Sequence, residues 1–159
     1  MIIVGIDPGL DGAMSALESE TLEVYDTPTL TVQSAKGNKR EYNLALMKQI
    51  VNRLAAAPTR AYIELVHSMP GQGVRSMFTM GYGFGAWEGI LAGLGIPYER
   101  VTPQRWKKLM LADQGKDKDA SRFKAIQLFP AYAHLFARKK DDGRAEAVLI
   151  AEYGRRQAQ

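Results

Sequence analysis

Met1 to Ile6 is an unbroken apolar run rich in β-branched residues, the pattern of a strand buried on both faces. It runs into Asp7, then into two turn signals, Pro8-Gly9 and Asp11-Gly12. Ala13 to Leu17 and Leu22 to Tyr25 follow as two further strands of an antiparallel meander. Residues 33 to 40, QSAKGNKR, read as a polar, basic loop. From Tyr42 the period lengthens: Leu44, Met47, Val51 and Leu54 recur at helical spacing, and the helix ends before Pro58. RAYIELV, 60 to 66, is a fourth strand, followed by the loop HSMPGQGVR. Residues 76 to 94 read as a helix despite several glycines, and GIPYERV supplies a fifth strand. TPQRWKKLM opens with an N-capping threonine and proline at the first helical position. A basic stretch, DQGKDKDASR, reads as mobile and leads to a helix ending near Pro130. The last helix is expected from about Asp142 to Tyr153, with Gly154 as its cap.

This succession predicts an α/β protein, a mixed five-stranded sheet flanked by helices. With no internal repeat, low-complexity tract or linker, residues 1 to 159 read as one domain. Apolar residues make up 46% and charged residues 24%, an ordinary globular balance. There is no cysteine, which excludes a disulfide framework, a thiolate zinc site and a cysteine nucleophile. No apolar run approaches the roughly 20 residues that span a bilayer, and no signal peptide is visible, so a cytoplasmic location is expected.

The net charge of +4 conceals an asymmetry. Residues 1 to 35 hold six acids and no Lys or Arg, whereas the remainder holds 21 basic and 11 acidic residues. A basic body with a separate acidic cluster suits a polyanion partner, although a solvated charged surface gives the same count.

The acids themselves carry more. Asp7 and Glu64 each end a strand, and the strand ends of an open α/β sheet border its functional crevice. Asp142 and Glu146 are four apart at the start of the last helix and therefore share a face. A capping role explains Asp142 but leaves the like charge of Glu146 without a reason. Divalent cations supply one. Oxygen-only ligands suit Mg2+ or Mn2+, and four carboxylates could hold two ions roughly 3.5–4 Å apart for in-line attack of water on a phosphodiester.

GIDPGLDGA, YIELVHSMPGQG, TPQRWKK and KKDDGRAEAVLIAEYGRR together resemble a RuvC-type Holliday junction resolvase, most closely the phage-like and chloroplast branch. The resemblance implies a ribonuclease H-like fold of order βββαβαβα, a homodimer, and Mg2+-dependent paired nicks across a four-way DNA junction. It implies Asp7, Glu64 and Glu146 as catalytic and metal-holding residues. For the fourth, the bacterial pattern often has an acid or histidine three residues before the last acid, which here is Gly143. The branch this chain resembles selects Asp142. Asp141 competes; it lies five residues before Glu146, about 500° around a helix, and so on another face. The resemblance is compatible with a bacterium, a phage-infected cell or an organelle.

Between Arg100 and Lys124 stand eight basic and three acidic residues. Arg105, Lys107 and Lys108 surround Trp106, a pattern for phosphate contacts if the tryptophan is not simply core. Lys116 and Lys118, and beside the acids Arg138, Lys139 and Lys140, are further candidates for DNA contact. In the loop after Glu64, Met69 is a candidate wedge between bases, with His67, Gln72, Arg75 and Ser76 near enough in sequence to touch backbone or bases. Glycines at 81, 85, 89 and 93 line one helical stripe, which fits either close packing on the parent sheet or self-association. An actin-like ATPase needs two lobes, more than this chain supplies. A nuclease for flaps, forks or RNA, and a junction-binding protein without catalysis, remain as alternatives.

Overall fold

A computed structural model of the chain describes residues 1–35, 37–68, 70–115 and 117–158. The strands are β1 (Ile2–Asp7), β2 (Ala13–Glu18), β3 (Thr21–Asp26), β4 (Thr29–Ser34), β5 (Gly37–Tyr42), β6 (Thr59–Glu64) and β7 (Tyr98–Val101). The helices are α1 (Leu44–Leu54), α2 (Val74–Gly93), α3 (Pro103–Met110), α4 (Ala120–Leu128) and α5 (Asp142–Gln157), with 3-10 turns at Pro130–Phe136 and Lys139–Asp141.

Five strands form one mixed sheet in the order β3-β2-β1-β6-β7. β1 to β3 are an antiparallel meander, and β1, β6 and β7 run parallel. Successive side chains of β1 alternate between two cores, as strand geometry requires. Ile2, Val4 and Ile6 face α1 and α2 through Met47, Val51, Trp87 and Leu91. Ile3 faces the other way, with Tyr62 of β6, toward Trp106, Val148, Leu149 and Tyr153 of α3 and α5. Asp7 and Glu64 continue this second series, so both point to the α5 side.

Two of the helices, α1 and α3, begin at a capping side chain. The Asn43 side chain accepts from Leu46 N at 3.1 Å to start α1, and Thr102 accepts from Arg105 N at 3.3 Å to start α3 with Pro103 in its first turn. In α1 the buried stripe is Met47, Ile50, Val51 and Leu54; Leu44, expected on it, is exposed at the first turn.

Two expectations are corrected. Residues 33 to 40 are not one loop: β4 and β5 pair antiparallel as a separate hairpin, from Thr29↔Tyr42 to Ser34↔Gly37, with Gly37 at φ 104°. Gly154 does not cap the last helix. It lies buried inside α5, where a Cβ would stand 2.2 Å from the Tyr62 ring, so the helix can cross β6 only because this residue has no side chain.

Candidate active site

α5 passes over β1 at Gly5, where a Cβ would meet Ala147 O at 2.1 Å. Ser15 of β2 ties the same carbonyl from below, donating its hydroxyl at 2.9 Å in a buried bond. This contact fixes where the first turns of α5 lie relative to the end of β1. Since Ile6 is paired with Ile63, Asp7 and Glu64 end neighbouring parallel strands. Three elements thereby bring Asp7, Glu64, Asp142 and Glu146 to one end of the sheet, close enough for Asp7, Glu64 and Asp142 each to feel the charge of Glu146.

The glycine turn wraps Asp7. Gly9 N donates to its Oδ1 at 3.1 Å, and a Cβ on Gly12 would stand 2.8 Å from its Cγ. Burial is the main reason its carboxyl is pushed up to about 7, with the Gly9 N–H opposing and the charges of Glu146 and Glu64 adding to the rise. Glu64 is also held above the usual carboxylate range, chiefly by burial, against the bond it accepts from Trp106 Nε1 at 2.8 Å. Asp142 is raised by burial and by Glu146, and its Oδ1 is buried with no hydrogen-bond partner among the described residues. Glu146 accepts from Lys107 Nζ at 2.8 Å and from Ser121 Oγ at 3.4 Å. Burial alone would lower the Lys107 ammonium, but Glu146, Glu64 and Asp142 together hold it above the ordinary lysine value.

Asp141 differs from its neighbour. Only 1% of its side chain is exposed, and it accepts from Arg138 N at 2.8 Å, Arg138 Nε at 3.1 Å and Arg138 Nη2 at 2.8 Å, with Arg144 Nη1 at 3.7 Å. Those bonds to Arg138 hold its carboxyl below the usual range. Its lone pairs are already used, whereas those of Asp142 are not.

A cleft of about 830 Å³ opens over these groups, bordered by Asp7, Asp142 and Glu146 and by Arg138, Lys139 and Lys140. A buried carboxylate oxygen without a partner, beside three others with only oxygen donors, fits a hard divalent cation. Among the described residues no three such side chains already stand around a common metal position, and the Lys107 ammonium occupies part of the space between them.

The remaining predicted contacts fall in several places. Lys139 and Lys140 are exposed on the cleft rim. Arg75 and Ser76, exposed in the first turn of α2, border a second groove of about 410 Å³ that joins the cleft along Gly9, Leu10 and Asp11. Gln72, His67, Lys108 and Lys118 are exposed. Arg105 instead pairs with Glu99 at 3.1 Å and lies over the Tyr153 ring at 5.8 Å. Lys107, expected against phosphate, is inside the carboxylate group. Trp106 is fully buried core, yet with its N–H on Glu64. Met69 and Lys116 lie outside the described residues.

Sequence reasoning missed the hairpin's part. Arg40 of β5 donates to Asp11 Oδ1 at 2.7 Å and to Leu10 O at 2.9 Å, and the Tyr42 hydroxyl donates to Pro8 O at 3.1 Å, so β5 clamps the turn that wraps Asp7. The basic character of residues 33 to 40 was a signal that they could matter, but nothing in the pattern named their partners.

The parallel pair ending in carboxylates, the meander beside it and the acid-bearing last helix across it define the ribonuclease H-like fold in its RuvC form. The chain superimposes on Thermus thermophilus RuvC in complex with a Holliday junction substrate with a TM-score of 0.58 at 12% identity, covering 99% of this chain and 94% of that one. A second Thermus thermophilus RuvC structure gives 0.53 at 15% identity, over 99% and 97%. In sequence it is 36% identical over 92 residues to the chloroplastic Holliday junction resolvase MOC1 of Chlamydomonas reinhardtii, a match over 58% of this chain that spans 10% of that much longer protein. No family model matches.

Proposed function

We propose that this protein is a structure-selective endonuclease that resolves four-way DNA junctions by paired, metal-dependent nicks. The observation that carries the reading is the meeting of Asp7, Asp142 and Glu146 from β1 and α5 in a cleft rimmed by Lys139 and Lys140, with Glu64 of β6 close enough to feel the charge of Glu146. The four acids would hold Mg2+, or Mn2+ in its place, with two ions per site. Bound there, the ions would supply an activated water and stabilise the leaving oxyanion. The chain's own part is to keep four carboxylates poised, to orient the strand with Lys139 and Lys140, and to exclude bulk water from Asp7.

The DNA path runs from the cleft into the groove beside Arg75 and Ser76, with Gln72 exposed in the loop that leads to it. Lys108 and Lys118, both exposed, extend the basic border on the α3–α4 side. A homodimer fits the outer face of α2. At Gly81, Gly85, Gly89 and Gly93 an added Cβ would meet nothing, and Val74, Phe78 and Tyr82 are 82%, 75% and 49% exposed, which opposes the explanation that the stripe packs on the parent sheet.

The test is cleavage of a synthetic four-way junction with Mg2+ or Mn2+. Symmetric paired nicks are expected, and Asp7→Asn should stop nicking while junction binding persists. Equal cutting of linear duplex, or normal cutting by Asp7→Asn, would overturn the reading.

A further inference from the structure

Two tryptophans are completely buried, and they are treated differently. Trp87 Nε1 has no hydrogen-bond partner among the described residues. Trp106 Nε1 donates to Glu64 Oε1 at 2.8 Å, and among the described residues it is the one donor to that carboxylate. Burying an indole in this protein therefore does not by itself demand a partner; the bond to Glu64 needs its own reason.

Glu64 is the last residue of β6, and its long side chain leaves the sheet with several rotatable bonds to fix. Asp7 is fixed by the Gly9 N–H and Glu146 by Lys107 and Ser121. For Glu64 the fixing donor is neutral. A lysine or arginine at this place would steady the carboxylate but also cancel its charge and compete with a cation. An indole N–H orients one oxygen and leaves the full negative charge. Its own position is set by the core around it, Val101, Met110, Leu149 and Tyr153, so the donor cannot swing away.

We propose that Trp106 is a positioning residue: its N–H holds Glu64 by Oε1 so that Oε2 remains for a divalent cation. This rests on the metal site proposed above. Partners of this kind behind a ligand are typically worth 10–100-fold in metal affinity.

The experiment is Mn2+ binding to the DNA-free protein, by calorimetry and by electron paramagnetic resonance. Two replacements of Trp106 are compared, Trp106→Phe and benzothienylalanine, which keeps the indole's shape with sulfur in place of N–H. Roughly tenfold weaker Mn2+ binding or worse is expected for both, with circular dichroism and metal-free junction binding unchanged. The isostere decides the matter if the phenylalanine protein fails to fold. Parent-like Mn2+ affinity in the benzothienyl protein would overturn the role of Trp106. Glu64→Gln separates the two readings: loss of Mn2+ there with an unaffected isostere sinks only the positioning role, whereas undiminished Mn2+ binding by Glu64→Gln sinks the metal site and this inference with it.

Discussion

An ordinary aspartate ionises near pH 4, while Asp7 in the folded chain waits until about 7. Between these values the unfolded chain releases its proton and the folded chain keeps it, so metal-free stability falls as pH rises and the penalty is complete above 7. Three pH units correspond to about 4 kcal/mol at most. Asp7→Asn is therefore expected to stabilise the metal-free protein at pH 8 by up to ~4 kcal/mol, with the gain fading near pH 4; urea titrations at both pH values check it. Because a cation displaces the same proton, Mn2+ affinity should weaken as pH falls through 7. The adjacent acids give a second contrast. Asp141→Asn removes the charge that Arg138 and Arg144 share and should cost about 1–3 kcal/mol of stability, whereas Asp142→Asn should spare stability and lose nicking. Equal stability of the two variants would contradict the assignment. That Asp7, Glu64 and Glu146 meet was legible from strand ends and helix spacing. The spacing favours Asp142 over Asp141 for sharing a helix face with Glu146, and Asp142 and Glu146 do both lie in α5; what the spacing could not show is that Asp141 ends a 3-10 turn and is bound by Arg138.

The helices differ in what their glycines do. Along the outer face of α2 the glycines meet nothing, so Gly89→Ala should raise protomer stability by up to about 1 kcal/mol and weaken self-association, measured by sedimentation. A variant that gained stability yet stayed as associated as the parent would move the dimer elsewhere. β1 and β6 were legible as short apolar runs, α1 from its helical spacing of apolar residues and α3 from its Thr102-Pro103 cap, because burial and capping each leave a mark in the chain. The β4–β5 hairpin was hidden for the opposite reason: GNKREY is polar almost throughout, and only Tyr42 at its end is buried. The extent of α5 was misread at Gly154 because a glycine that ends a helix and one that lets it cross an aromatic ring look alike in sequence.

Over the whole chain, the acidic first part and the basic remainder meet in one cleft, Asp7, Asp11 and Asp26 on one side and Arg138, Lys139 and Lys140 on the other. Composition had shown only a basic body and a separate acidic cluster, not their meeting. It could not show which cations are already spent, as Arg100 is on Glu88, Arg105 on Glu99 and Lys124 on Asp113. Among the described residues Lys139 and Lys140 pair with no carboxylate and stand exposed on the cleft rim, so Lys139→Ala and Lys140→Ala should each weaken junction binding across all sequences and lower its salt dependence by about one ion. Arg105→Ala should change that slope little. Fluorescence titrations over a range of salt distinguish the two.

Gly143 sits three residues before Glu146, and a Cβ there would lie 2.3 Å from Asp11 O and 2.8 Å from Gly12 Cα. A side chain at this place is therefore excluded in this chain by its own backbone. Moving the acid forward by one residue cannot be a simple exchange of letters, because the loop after β1 would first have to retreat. Position 143 and the loop after β1 should thus change only as a linked set, a larger residue on the last helix appearing together with a greater height of that loop above it.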